Sequence, residues 1–177
     1  KGSRFITSMA PANTEQDALN FISSIQEEFP DATHHTYAYR IGFGENQIER
    51  CSDAREPSGT AGPPMLQVLS RGKLTDVVVV ATRYFGGTKL GIGGLTRAYR
   101  TCARACLEKA RLVEIKRLSF YELMLPYDDL GPVIRYIESC DGEIVDVKYT
   151  EQVKIKFLVP DKAQQELVKG LGEVSRG

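Results

Sequence analysis

The run Val77-Val78-Val79-Val80-Ala81 constrains this chain more than any other segment. It is far shorter than the roughly 18–20 apolar residues a membrane helix needs. Its β-branched composition suits a buried strand, so Asp76 to Arg83 is read as one. No apolar run reaches membrane-spanning length, and the first residues show neither a signal h-region nor a cleavage pattern. A cytoplasmic protein away from membranes is therefore expected. Cys51, Cys102, Cys106 and Cys140 form no Cys-x-x-Cys and no two close ligand pairs. They are read as small buried thiols, with no metal site and no cofactor.

Around that strand the periodicity changes repeatedly. Arg4 to Met9 reads as a strand. Thr14-x-x-Asp17 is a capping-box pattern that opens a helix carrying Ala18, Ile22, Ile25 and Phe29, closed by Pro30. His35, Tyr37, Tyr39 and Ile41 alternate as on a strand, and Gln47 to Ser52 returns as the second arm of a hairpin. Pro63-Pro64 suits the first turn of a short helix through Leu69, and Thr96 to Ala110 is a longer one. Beyond it come a strand at Leu118 to Leu125, a helix after Asp128-Asp129, strands at Glu143 to Tyr149 and around Val153–Val159, and a helix from about Asp161 to Leu171. That β-α-β-β-α order is a ferredoxin-like module without a convincing final strand. The prediction is an α+β protein of two domains, residues 1–115 and 116–177.

Two glycine-rich stretches stand out for chemistry. One is Glu56-Pro57-Ser58-Gly59-Thr60-Ala61-Gly62, and the other runs from Arg83 through Gly86-Gly87-Thr88-Lys89 to Gly91-Ile92-Gly93-Gly94. Glycines let backbone amides approach an anion, and a helix start presents unpaired N–H groups. The second stretch is neither a Walker loop nor a dinucleotide fingerprint. In the helix that follows, Arg97, Arg104, Glu108 and Arg111 share one stripe with Arg100 at its edge, while Tyr99, Cys102, Cys106 and Ala110 lie opposite. Arginines at one-turn spacing with a single acidic partner suit a phosphate backbone or an acidic protein surface better than internal pairing.

Charge supports this placement. The chain carries 23 basic and 23 acidic residues, a net of zero that argues against a nucleic-acid binder. By segment the balance is −3 over residues 1–72, +7 over 73–117 and −4 over 118–177. The positive charge sits on the second glycine stretch and its helix. His34 and His35, adjacent on a strand, point to opposite faces, so at most one joins a given site, and one buried and one exposed ring are expected. Ser58, Asp53 and a histidine nominally supply a hydrolytic triad, but no nucleophile elbow surrounds Ser58. A non-enzymatic protein is expected.

Lys1-Gly2-Ser3-Arg4-Phe5-Ile6, His34-His35, Glu56 to Gly62, Arg83-Tyr84-Phe85-Gly86-Gly87, Leu90-Gly91-x-Gly93-Gly94-Leu95 and Arg97-Ala98-Tyr99 together resemble the YigZ/IMPACT family. The resemblance covers roughly residues 1–115, and the remainder is similar to the small C-terminal domain of bacterial YigZ-type members. One departure stands out: Asp53-Ala54-Arg55 replaces the usual Asp-Asp-Gly. The resemblance implies an N-terminal domain similar to elongation factor G domain IV and to part of the GHMP kinases. It implies a C-terminal domain similar to elongation factor G domain V. It also implies a link to translation, since the eukaryotic IMPACT relatives are translation regulators.

The expected function is a translation-linked protein that binds RNA or the ribosome through Arg83, Lys89, Arg97, Arg100 and Arg104, with Gly91, Gly93 and Gly94 allowing close backbone approach. Glu56, Ser58, Gly59 and Thr60 form a possible second loop, and Tyr84 or Phe85 a base-stacking surface. Two alternatives stand beside it. One is a regulator whose basic face meets an acidic protein partner, and the other is a nucleotide-binding enzyme on the GHMP-kinase-like fold.

Overall fold

The apolar run lies in a central strand, and its neighbours show why it does not alternate. The computed structural model describes residues 2–174. In chain order the elements are β1 (Arg4–Pro11), α1 (Glu15–Glu28), β2 (His34–Ile41), β3 (Ile48–Ser52), α2 (Gly62–Arg71), β4 (Val77–Tyr84) and α3 (Gly91–Lys109), then β5 (Leu118–Leu125), α4 (Leu130–Ser139), β6 (Glu143–Tyr149), β7 (Val153–Pro160) and α5 (Gln164–Val174). The chain divides into two units, Lys1–Arg111 and Leu112–Gly177.

The first unit holds an antiparallel sheet in the order β1-β4-β2-β3. Val78 and Val80 pack with Ala18, Ile22 and Ile25 of α1, whereas Val79 and Ala81 pack with Met65 and Leu69 of α2 and with Leu95, Tyr99 and Ala103 of α3. Successive side chains of a strand point to opposite faces. With helices on both faces, Val78 through Ala81 are all buried, so the period-2 signal vanishes. α1 starts where the capping box places it: the Thr14 hydroxyl accepts from the Asp17 amide, and the Asp17 carboxylate accepts from the Thr14 amide.

A half-buried carboxylate and a buried guanidinium fix the ends of α2. The Asp53 carboxylate accepts from the amides of Gly59, Ala61 and Gly62 at 2.8–2.9 Å, satisfying donors that a helix start leaves unpaired. At the other end Arg40 is buried, donating from Nη1 to the Leu74 carbonyl at 2.6 Å and from Nε to Glu49 at 2.6 Å. α3 begins at Gly91, five residues before the expected Thr96, so Gly93 and Gly94 are helical and not part of a loop. Leu95, Tyr99 and Ala103 recur every four residues and are buried, and this apolar stripe holds the glycine-rich first turn in the helix.

In the second unit the sheet order is β5-β7-β6, antiparallel throughout, with α4 and α5 on one face. This is the order of the first three strands of a ferredoxin-like sheet, and the described residues include no fourth. Val153, Ile155, Phe157 and Val159 alternate inward against Val133, Ile137 and Leu167, as the pattern predicts. The other face exposes Phe120 and Met124 beside the Lys154–Glu122 ion pair. The last helix is preceded by a 3-10 turn over Asp161–Ala163.

Candidate anion-binding site

The motifs scattered along the first 107 residues meet at one buried ion pair. Arg83, on β4, is 4% exposed and donates from Nη1 to Glu56 Oε1 at 2.6 Å. The same oxygen accepts from the Tyr99 hydroxyl of α3 at 2.7 Å. Burial, reinforced by that hydrogen bond, holds the Tyr99 phenol far above its usual range. The Nη2 of Arg83 reaches Ser3 Oγ at 3.2 Å, and its guanidinium lies 5.5 Å from the ring centroids of both Phe5 and Phe85. Gly86 and Gly2 pack backbone to backbone beside it, so closely that a Cβ on either would overlap the other. These contacts correct one expectation: Arg83 is not an open phosphate contact. Its charge is spent on Glu56, and Phe85, 45% exposed, has that guanidinium over its ring.

The first glycine-rich stretch is engaged with its own neighbourhood. Its amides bind Asp53, the Thr60 hydroxyl donates to the Pro57 carbonyl at 2.6 Å, and Thr60 is buried. Gly59, at φ +78, makes the turn that a side chain would strain. Ser58 is exposed, while Asp53 is engaged with amides, so the nominal triad is not assembled. Ala54 and Arg55 hold φ values of 43 and 69, the left-handed region that glycine favours.

His34 and His35 correct two expectations: both are half-buried instead of one buried and one exposed, and both rings join one cleft although the residues are adjacent on β2. His34 Nδ1 lies 2.8 Å from the Ala54 carbonyl, which can only accept, so that nitrogen carries the proton. His35 Nδ1 meets Thr82 Oγ1 at 3.2 Å. Both rings line a cleft of about 460 Å³ with Arg55 and the end of α1. Among the described residues no three His, Cys, Asp or Glu side chains are grouped to hold a metal ion, and no helix is long and apolar enough to cross a membrane.

The second glycine stretch differs from the first. No side chain caps α3, and its first turn holds no acidic residue. Lys89 is exposed just before it, and Arg97 folds back so that Nη1 lies 3.5 Å from where a Gly93 Cβ would stand. Arg97 and Arg104 are exposed, and among the described residues neither has a carboxylate within 4.0 Å. Arg100 is half-buried and donates to Gln67 Oε1 of α2 at 3.1 Å. With Arg104 it lines a cleft of about 360 Å³ between α2 and α3, where Arg71 joins them. Sequence reasoning missed Arg71; its signal was a cation in the last turn of a short helix, four residues after Gln67. Neither cleft is lined by both glycine stretches.

Comparison with known proteins gives this geometry a family. Residues 1–107 match the Impact N-terminal domain, and residues 123–177 match a domain of unknown function, DUF1949. The chain is 37% identical over 175 residues to IMPACT family member YvyE of Bacillus subtilis, covering 99% of this chain and 80% of that protein. It is 34% identical over 178 residues to IMPACT family member YigZ of Escherichia coli, covering 100% and 87%. A crystal structure of a hypothetical protein superposes with a TM-score of 0.65 at 34% identity, covering 100% of this chain and 86% of that one. With one family domain over most of the first unit and the other within the second, the chain belongs to the IMPACT family, in the YigZ-type form that carries the small C-terminal domain.

Proposed function

We propose that this protein is a translation-linked regulator that binds RNA or the ribosome through the basic face of α3. The observation that carries this reading is the run of arginines at Arg97, Arg100 and Arg104, whose guanidiniums no carboxylate neutralises within 4.0 Å among the described residues. Internal ion pairing absorbs Arg40 and Arg83 and leaves these three facing outward or into a cleft. Guanidinium forks match phosphate oxygens in pairs, and a protein surface with unpaired arginines releases counterions on meeting them. Lys89 and the uncapped start of α3 at Gly91, Gly93 and Gly94 extend the same positive region. The translation link rests on family membership, and the absence of a membrane-length helix among the described residues fits a cytoplasmic site of action.

Co-sedimentation with purified ribosomes tests this. Wild-type protein pellets with ribosomes at low salt and is released as salt rises, while the Arg97→Glu/Arg100→Glu/Arg104→Glu variant stays in the supernatant. Equal pelleting of the two forms refutes the reading. Retention by a nuclease-resistant protein partner instead assigns the face to an acidic protein surface.

A further inference from the structure

We propose that the cleft between α2 and α3 is a phosphate-binding site in which Arg71, Arg100 and Arg104 form a three-arginine clamp. The inference rests on the basic-face reading in that Arg100 and Arg104 belong to both, and it adds the ligand group and a residue from a second helix. The cleft holds about 360 Å³, room for a phosphate and part of what bears it. Its α2 wall is Gln67, Val68 and Arg71, and its α3 wall is Arg100, Arg104 and Glu108. Spacings of four residues, Gln67 to Arg71 and Arg100 to Arg104, put each pair on one helical face.

Three features of this cleft point to an anion. First, three guanidiniums line it against a single carboxylate, Glu108, and none of the three has an ion-pair partner within 4.0 Å among the described residues. Like charges gathered in excess of their counter-charge repel, and an anion between them reverses the sign of that interaction. Second, Arg100 is held in place by Gln67 Oε1, yet its Nε, like that of Arg83, is buried with no hydrogen-bond partner among the described residues. Buried donors are normally satisfied, so an unpaired one in a cleft wall marks where an acceptor belongs. Third, Val68 and Leu107 supply apolar walls that weaken solvent screening. Guanidinium recognition of phosphate is frequently bidentate, which these donors suit. The phosphate comes either from an RNA backbone or from a free phosphorylated small molecule.

The test follows arginine Nε–H resonances of the full chain by ¹⁵N–¹H NMR during titration with inorganic phosphate, with Arg100 assigned by its loss in Arg100→Lys. The expected result is a saturable shift of the Arg100 resonance. Arg71→Gln weakens that binding at least fivefold, Glu108→Gln tightens it, and Arg50→Gln, on β3 and outside the cleft, changes it less than twofold. A short RNA duplex then separates the sources. Displacement of phosphate by the duplex assigns the clamp to the RNA backbone. Saturable, Arg71-dependent phosphate binding that the duplex does not displace keeps the clamp, assigns it to a small phosphorylated ligand and removes the RNA reading. Non-saturating shifts spread over all arginines overturn the clamp. So does an Arg71→Gln variant that binds both phosphate and duplex unchanged, and that outcome leaves the RNA reading intact.

Discussion

Replacing Glu56 with alanine is the sharpest perturbation of the first unit. Its side chain is 3% exposed and its Oε1 serves both Arg83 Nη1 at 2.6 Å and the Tyr99 hydroxyl at 2.7 Å. Removing one member of a buried ion pair costs about 3–5 kcal/mol, because the remaining charge is left uncompensated. The orphaned Tyr99 hydroxyl adds about 1–3 kcal/mol, though the two costs overlap because both groups meet at one oxygen. The expected loss is about 4 kcal/mol, a large share of the roughly 5–15 kcal/mol that holds a domain folded. Urea denaturation of the full chain followed by circular dichroism measures it. Glu56→Gln keeps an acceptor oxygen and loses about half as much. Glu56→Leu combined with Arg83→Met removes both charges and recovers most of the loss. Breaking the exposed Lys154–Glu122 pair with Lys154→Ala costs less than about 1 kcal/mol. If Glu56→Ala lies within about 0.5 kcal/mol of wild type, or the double variant is no better than the single, the buried pair does not organise this unit.

Other consequences are independent of that pair. Arg55 holds φ 69, so Arg55→Gly relieves left-handed strain of about 1–2 kcal/mol, offset in part by glycine's greater unfolded entropy. Thermal melts are expected to rise by a few degrees, and an unchanged or lower midpoint contradicts the strain. Burial, then the hydrogen bond from its hydroxyl to Glu15, pushes the Tyr39 phenol up to about 12. The folded protein thus holds this proton more tightly than the unfolded chain, so its stabilisation is whole below about pH 10 and lost as the pH rises toward 12. Tyr39→Phe is expected to lose less stability than wild type across that window in denaturant melts, and equal losses refute the assignment. Burial raises the thiol pKa of Cys51, Cys102 and Cys106, so iodoacetamide labels them more slowly at pH 8 than it labels free cysteine. Labelling at the rate of free cysteine contradicts their packing.

What the sequence makes legible depends on how local the physics is. β5 and β6 span Leu118–Leu125 and Glu143–Tyr149, the bounds read from periodicity, because their alternation and flanking turns lie within the segments themselves. The Thr14 cap is local in the same sense, a pattern closed within four residues. The start of α3 was hidden because three glycines in four residues read as loop, whereas packing of Leu95 and Tyr99 against the sheet overrides their weak helix propensity. The role of Arg83 was hidden for a different reason. Its partner Glu56 lies 27 residues away, and nothing in either neighbourhood shows that the fold brings them together. Arg71 shares a cleft with Arg100 and Arg104 only through the packing of α2 on α3, which periodicity does not reveal. Charge distribution was legible: the +7 segment of residues 73–117 holds the helix whose Arg97, Arg100 and Arg104 have no carboxylate within 4.0 Å among the described residues.

The salt dependence of RNA binding tests the central claim most directly. Affinity for a short RNA duplex, measured by filter binding between about 50 and 200 mM salt, falls steeply when phosphate contacts release counterions. Replacing Arg97, Arg100 and Arg104 together with glutamine is expected to reduce the magnitude of the slope of log affinity against log salt by about three, one for each guanidinium removed from a phosphate. A slope that is the same in the wild type and the triple variant, or binding that does not respond to salt, contradicts the account.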